Sequence, residues 1–187
     1  RVTQTRVQLK TSAFRLMVLA LLVSGARSPA AAQTEIPLAN RSKGSPGMDP
    51  CPILDSAGGI WQFKSDKANQ TYGDGTRYAT GIRNIVGLDW NTSSNDLYAV
   101  QHGRDQLNNL FPDMYNAEQS AELPSEELFR VKKGSDFGWP YCYFDHEQNK
   151  KVLAPEFGGD GKKTDRCAQK QKPIYGFPGH WPPNGFL

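Results

Sequence analysis

The sequence lacks the compact motifs that identify several large enzyme classes. It contains no Gly-x-Gly-x-x-Gly, no P-loop, no His-Glu-x-x-His, no Gly-x-Ser-x-Gly and no EF-hand loop. Nicotinamide, phosphoryl-transfer and zincin chemistry therefore have no support in the sequence. A Cys-x-x-Cys-His motif is also absent, so c-type haem attachment is not indicated.

A strong excess of charge of one sign is missing as well. The chain has 187 residues with 22 Lys and Arg against 19 Asp and Glu, which gives a formal net charge of +3. A nucleic-acid-binding protein would show a concentrated basic face or run, so we expect no nucleic-acid partner. The 18 Gly and 13 Pro residues are more than an average domain carries, which predicts a folded chain with many turns.

Acidic residues are absent from the beginning of the chain, where none precedes Glu35. Basic residues do occur there, at Arg1, Arg6, Lys10, Arg15 and Arg27. An uninterrupted apolar run covers residues 16–23, and alanines at 30–32 provide the small residues that a signal peptidase recognises. This combination predicts a secretory signal, or a signal-like segment, over residues 1–32. We therefore expect a secreted or periplasmic protein.

Long hydrophobic runs and long amphipathic helices are both missing. A transmembrane helix needs about 20 apolar residues, so the run at 16–23 is too short and no stable membrane span is expected. No window shows an amphipathic helix longer than two turns, although a short helix capped at Ser125 is expected within residues 117–128.

The remainder of the chain has the pattern of short strands. Residues 33–58 are rich in Ser, Gly, Pro and Asn and form a loop-rich lead-in. Beyond them, alternating or apolar segments separated by turn residues predict strands linked as antiparallel hairpins. These segments lie at residues 59–64, 77–79, 85–90, 97–101 and 127–131.

Such a pattern predicts an all-β fold, which would be a sandwich, a barrel or a set of propeller blades. A blade takes roughly 40 to 50 residues, so residues 33–187 would supply about three blades, too few to close a ring. The chain starts with Arg1 rather than Met and stops just after a turn. We therefore expect it to be a fragment that is truncated at both ends.

Three cysteines are few, and their number is odd. In an oxidising compartment Cys51, Cys142 and Cys167 are candidates for disulfides rather than for metal or redox sites. Cys142 and Cys167 flank a loop-rich stretch that a bridge would restrict, which would leave Cys51 unpaired. The alternative is that all three are unpaired, buried thiols.

Four unusual strings follow one another along the chain: ATGIRNIVGL at 79–88, QHGRD at 101–105, EELFRV at 126–131 and GSDFGWP at 134–140. In their order and spacing they resemble the PQQ-dependent sugar dehydrogenases, the family of soluble quinoprotein glucose dehydrogenase, and in particular its L-sorbosone-dehydrogenase-like branch. The resemblance covers about residues 45–187. It implies a six-bladed β-propeller with pyrroloquinoline quinone (PQQ) and Ca²⁺ over the central channel, of which residues 59–187 would form a part.

The resemblance implies that Arg83 and Asn84 contact the quinone carbonyls of PQQ and polarise them. A quinone that accepts hydride develops negative charge on a carbonyl oxygen, and a guanidinium can stabilise that charge without changing its protonation state. The alternative is that Arg83 and Asn84 only bond the backbone carbonyls of a turn at the edge of a blade.

Calcium ligands are also implied by the resemblance. The backbone oxygens of Gly103 and Arg104 match the positions that hold the Ca²⁺ beside PQQ, and backbone carbonyls are proper Ca²⁺ ligands. The family has Pro where Arg104 stands here. Glu127 and the backbone oxygen of Phe137 match groups around a further, structural calcium, although Glu127 could equally be a solvent-facing residue of a strand.

A general base is needed when the hydroxyl of a sugar loses hydride, and His is suited to that role. The family's catalytic His lies N-terminal to the Arg-Asn turn, in sequence that this chain does not contain. His180, within a Pro-Gly-His-Trp motif of the sorbosone-like branch, is the best remaining candidate. For His102, His146 and His180 alike, the competing interpretation is a hydrogen-bonded structural histidine.

The sequence thus predicts a fragment of a PQQ- and Ca²⁺-dependent oxidoreductase that oxidises a hydroxyl of a sugar or sugar aldehyde by hydride transfer to the quinone. Its partners would be a small sugar substrate and an external electron acceptor. The family's upstream base and its downstream basic residues are missing, so the recorded chain is expected to be inactive alone. Two alternatives remain: a secreted propeller that binds protein or carbohydrate without catalysis, and a lactonase-type hydrolase.

Overall fold

The computed structural model describes residues 4–8, 16–21, 45–55, 58–181 and 183. Most of the expected secretory segment and much of the 33–58 lead-in lie outside these residues, and the division into 1–32, 33–58 and 59–187 stays a prediction. The strands are β1 (Gln4–Gln8), β2 (Leu16–Leu21), β3 (Ile60–Lys64), β4 (Thr76–Thr80), β5 (Asn84–Asn91), β6 (Asp96–His102), β7 (Glu126–Val131), β8 (Ser135–Asp136), β9 (Cys142–Asp145), β10 (Lys150–Leu153) and β11 (Tyr175–Phe177). Among the described residues the α-helices are α1 (Leu107–Leu110) and α2 (Ala117–Glu122), and short 3-10 helices cover Pro52–Asp55, Tyr72–Asp74, Pro155–Phe157 and Asp165–Gln169.

The strands form three sheets. One has the order β1-β2-β3-β4-β8, in which only the β4–β8 pair is parallel. A second has the order β11-β7-β6-β5 and is antiparallel throughout. The third is the β9–β10 hairpin. The predicted strands and hairpins are thus confirmed, the chain is mostly β with few helices, and no closed ring is formed by the residues that the structure describes.

The main core lies between the first two of these sheets. Strand β6 contributes Leu97, Ala99 and Val100 to the buried interior, and all three are almost fully buried. The alternating and apolar pattern of this segment predicts that burial. Phe129 of β7 packs on Phe137, with ring centroids 4.1 Å apart. Aromatic side chains therefore fill the space between the sheets.

The helix prediction was only partly right. Helix α2 is capped by Asn116, whose side chain accepts from the backbone N–H of Gln119 while the Gln119 side chain accepts from the Asn116 N–H. Ser125 is not a cap, because it lies beyond the end of α2 and its Oγ bonds Nδ1 and the backbone N–H of His146. Within the described residues, no helix is long and apolar enough to cross a membrane.

A disulfide joins Cys142 to Cys167, and Cys51 is a buried free thiol. This confirms the predicted disulfide between Cys142 and Cys167, with Cys51 unpaired. The bridge fixes the short helix Asp165–Gln169 against the β9–β10 hairpin.

We expect the variant Cys167→Ser to unfold about 3 kcal/mol more easily than the wild type, because the bridge restricts a 25-residue separation in the unfolded chain. Urea denaturation measures the difference, and Cys51→Ser is the control for loss of a buried thiol. A loss for Cys167→Ser no larger than that for Cys51→Ser would contradict the assigned role of the bridge.

Candidate functional site

Three of the residues that the sequence singled out, Arg83, Asn84 and Gly103, meet at one edge of the β11-β7-β6-β5 sheet. Asn84 at the start of β5 pairs with His102 at the end of β6, so Arg83 and Gly103 lie side by side just beyond the two strands. Nη1 of Arg83 donates to the backbone oxygen of His102 at 2.9 Å and also to that of Gly103. The structure therefore brings Arg83, Asn84 and Gly103 together.

The turn that carries Arg83 is held against the 135–139 segment. Gly81 has a φ of +71°, and a Cβ there would lie 2.2 Å from the backbone nitrogen of Gly138. The Gly81 oxygen accepts from the Trp139 N–H at 3.0 Å. A glycine is therefore required at position 81, both by the conformation and by the close approach of the two segments.

Gly103 is required by close packing too. A Cβ at this position would lie 2.8 Å from the backbone oxygens of Pro124 and Ser125. The Gly103 N–H donates to Oε2 of Glu126, a buried residue, at 3.0 Å. The loop after β6 is thus fixed on the start of β7.

The guanidinium of Arg104 forms a buried ion pair with Glu156. Its Nη1 lies 2.7 and 2.8 Å from the two carboxylate oxygens of Glu156, and both side chains are almost completely buried. The Arg104 side chain therefore has its own counter-ion, and only the backbone oxygen of Arg104 remains as the calcium ligand that the resemblance implies.

Glu127 is not a solvent-facing strand residue, because it is only 3% exposed. Its Oε1 accepts from Nε2 of Gln101 at 2.8 Å, and its Oε2 lies 2.5 Å from Nζ of Lys151. Burial raises the pKa of Glu127, while Lys151 and Gln101 act against that rise. Phe137, the other position of the predicted structural calcium, places its ring in the core.

These residues do not fit a calcium ion in the arrangement observed. Calcium takes six to eight oxygen ligands, whereas the Gly103 oxygen accepts from a guanidinium and both Glu127 oxygens are engaged by protein donors. No group of three or more His, Cys, Asp or Glu side chains suited to a metal occurs in the described part of the chain. The calcium assignments for Gly103, Arg104, Glu127 and Phe137 stay predictions.

The surroundings of Arg83 suit a quinone better than the surroundings of Gly103 and Glu127 suit calcium. Burial is the largest influence on Arg83 and lowers its pKa to about 10, whereas Asp105 and Glu126 favour the charged form. The guanidinium is therefore still protonated at neutral pH. Backbone carbonyls hold the guanidinium in place, as expected from the alternative in which Arg83 bonds a turn at the edge of a blade. Its positive charge also suits an electron-rich quinone carbonyl.

His180 lies against Asp105, which follows Gly103 and Arg104 in the loop after β6. Its Nδ1 is 3.1 Å from the backbone oxygen of Ala121, and its Nε2 is 3.4 Å from Oδ1 of Asp105. Since a carbonyl oxygen only accepts, Nδ1 carries the proton. The other two histidines are hydrogen-bonded as well, His102 to the Pro183 oxygen and His146 to Ser125.

A small cavity of about 20 Å³ lies at this edge, with room for a single water. Its walls include Arg83, Gln101, Gly103, Glu127 and Lys151. Sequence reasoning missed Gln101, Glu126, Lys151 and Glu156 as members of the site. Gln101, Glu126 and Lys151 lie in strands and Glu156 lies in the short helix Pro155–Phe157. The only signal for them was a charged or amide side chain within or beside an apolar segment.

A family model described as TrAA12-like matches residues 59–184. The calcium structure of Trichoderma reesei Carbohydrate-Active Enzymes Family AA12 is similar, with a TM-score of 0.62 and 16% identity over 98% of this chain and 45% of that one. The iodide structure of the same family and organism gives a TM-score of 0.62 and 16% identity over 94% and 43%. A soluble aldose sugar dehydrogenase from Escherichia coli in the apo-form gives 0.45 and 16% over 88% and 37%. The chain thus spans less than half the length of these structures, and no curated protein matches it by sequence.

Proposed function

Because the chain belongs to the TrAA12-like family, we propose that it is part of an oxidoreductase that oxidises a hydroxyl of a sugar or sugar aldehyde. The observation that carries the proposal is the meeting of Arg83, Asn84 and Gly103 at one sheet edge, where a protonated, partly buried guanidinium is held by backbone carbonyls. The four ordered motifs support the finer assignment to the quinoprotein glucose and sorbosone dehydrogenases.

PQQ is the proposed cofactor, and when bound it would supply the quinone that accepts the hydride. Arg83 would bind the quinone carbonyl region through its guanidinium, and Asn84 would offer its amide beside it. Because Arg83 keeps its proton at neutral pH, it stabilises negative charge without taking part in proton transfer.

His180 is the proposed acceptor of the proton that leaves the sugar hydroxyl. Its Nδ1 donates to the Ala121 oxygen, so Nε2 is the nitrogen that can accept this proton. The carboxylate of Asp105 lies 3.4 Å from Nε2, so it would attract the positive charge that the ring gains when Nε2 takes up the proton. Both side chains are about half exposed, which leaves them accessible from solution.

Ca²⁺ is proposed as a second cofactor, on the basis of the motif resemblance. The matched Trichoderma reesei structure is described as a calcium structure, which supports the proposal for the whole protein. The Gly103 and Glu127 oxygens, which the resemblance assigns to calcium, are engaged by other groups in the structure.

The three sheets are proposed to belong to blades of a six-bladed β-propeller, with residues 59–187 forming part of it. An external electron acceptor would reoxidise the cofactor. The export signal predicted at 1–32 and the disulfide support a secreted or periplasmic enzyme.

The test is reconstitution of the full-length protein with PQQ and Ca²⁺, followed by dye reduction with a panel of aldoses and sugar aldehydes. We expect a cofactor absorption spectrum and sugar-dependent reduction of the dye. Binding of sugar without turnover would instead favour the non-catalytic propeller, and absence of both the spectrum and turnover would contradict the proposed function.

A further inference from the structure

A buried chain of polar side chains links β10 to the Arg83 turn. Nζ of Lys151 lies 2.5 Å from Oε2 of Glu127, and Oε1 of Glu127 accepts from Nε2 of Gln101 at 2.8 Å. Oε1 of Gln101 then accepts from the backbone N–H of Arg83 at 2.8 Å. Gln101, Glu127 and Lys151 are each no more than 4% exposed, so these contacts are shielded from bulk solvent.

Glu127 fixes the orientation of the Gln101 amide. An ionised carboxylate only accepts hydrogen bonds, so the NH₂ group of Gln101 must face Glu127. The amide oxygen then faces the N–H of Arg83. A flipped amide would place oxygen against oxygen and N–H against N–H, leaving several buried groups unsatisfied.

Lys151 occupies one side of the Glu127 carboxylate, where its Nζ contacts Oε2. Its Nζ is 5.7 Å from the ring centre of Phe129 and 5.9 Å from that of Phe144, so the ammonium is enclosed by aromatic rings. A calcium ion on Glu127 would lie next to this buried positive charge and would be repelled by it. The contacts of Glu127 are therefore those of an ion-paired structural carboxylate.

We propose that Glu127 is a positioning residue for Arg83 and not a calcium ligand: paired with Lys151, it orients the Gln101 amide, and this amide holds the backbone of the Arg83 turn. The neighbouring residue acts in parallel, because Glu126 accepts from the Gly103 N–H on the other side of the same edge. The effect on Arg83 as a cofactor contact rests on the proposed function, whereas the exclusion of calcium from Glu127 does not.

The first test concerns the amide. Gln101→Leu removes the acceptor of the Arg83 N–H and leaves the Lys151–Glu127 pair in place. In the full-length protein we expect hydrogen exchange of the Arg83 amide to accelerate by about tenfold or more. We also expect kcat for sugar oxidation to fall by roughly the same factor with KM nearly unchanged.

The matched control is the swapped double variant Gln101→Glu with Glu127→Gln. It keeps one carboxylate and one amide, so an oxygen at position 101 can again accept from the Arg83 N–H. We expect the swap to restore slow exchange and most of kcat, which a loss of general stability would not explain. Unchanged Arg83 exchange in Gln101→Leu, or a swap that restores neither quantity, would overturn the proposal.

The second test concerns the metal and needs no enzyme activity. Melting temperatures are measured with calcium and with EDTA for the full-length wild type and for the double variant Glu127→Gln with Lys151→Met, which removes both buried charges together. We expect the calcium-induced shift to be the same in the two proteins. A shift that is present in the wild type and missing in the double variant would show that Glu127 binds calcium.

Discussion

Replacement of Arg83 by methionine is expected to lower kcat for sugar oxidation by the full-length protein by about 100-fold or more, the usual effect of removing one preorganised donor from a developing negative charge. Methionine keeps the unbranched apolar stem of the side chain and removes the guanidinium. Because Arg83 stays protonated at neutral pH, the loss should be the same across the neutral range.

Two further variants calibrate this result. Arg83→Lys keeps the charge but not the planar fork of donors, so we expect an intermediate activity. Arg130→Met removes an exposed arginine of β7, in the same sheet, that pairs with Asp96, and should leave kcat within about twofold, as is usual for surface changes. Steady-state dye reduction measures all three, and equal rates in Arg83→Met and Arg130→Met would contradict the role of Arg83.

The variant Glu156→Leu is expected to destabilise the protein by about 3–5 kcal/mol, because it leaves the buried guanidinium of Arg104 without its carboxylate. The double variant Arg104→Met with Glu156→Leu removes both charges, so it should recover most of this loss. Urea denaturation followed by circular dichroism measures the free energy of unfolding of each.

The Arg166–Asp49 pair provides a matched control. Its Nη2 to Oδ2 distance is 2.6 Å, but the two side chains are 44% and 38% exposed, so Asp49→Asn should cost about 0–1 kcal/mol. A loss in Glu156→Leu as small as in Asp49→Asn would show that the Arg104–Glu156 pair does not anchor the loop after β6.

The strands were predictable because each is a local pattern. Alternation and turn residues define the β5–β6 hairpin, and its register then places Arg83 beside Gly103, although they are 20 residues apart. The sequence alone therefore predicts that the Arg83 and Gly103 motifs lie close together. The helix end was harder to predict, because Asn116 and Ser125 are both ordinary capping residues and only the structure shows that Ser125 serves His146 instead.

The partners of the buried charges could not be predicted. Lys151 lies 24 residues beyond Glu127 and Glu156 lies 52 residues beyond Arg104, and nothing in the local sequence connects them. The sequence offers a calcium ligand or a solvent-facing residue as alternatives for Glu127, whereas its burial beside Lys151 supports a positioning role. Such pairings depend on how the β9–β10 hairpin packs on the sheet that contains β6 and β7.

The most direct test of the account is a single-turnover measurement on the full-length protein loaded with PQQ, in which an aldose is added without an electron acceptor and the cofactor absorbance is followed. We expect rapid sugar-dependent reduction of the cofactor in the wild type and reduction slower by about 100-fold or more in Arg83→Met. Reduction at the same rate in both proteins, or no reduction by any sugar, would contradict the claim that the Arg83 edge is the site of sugar oxidation.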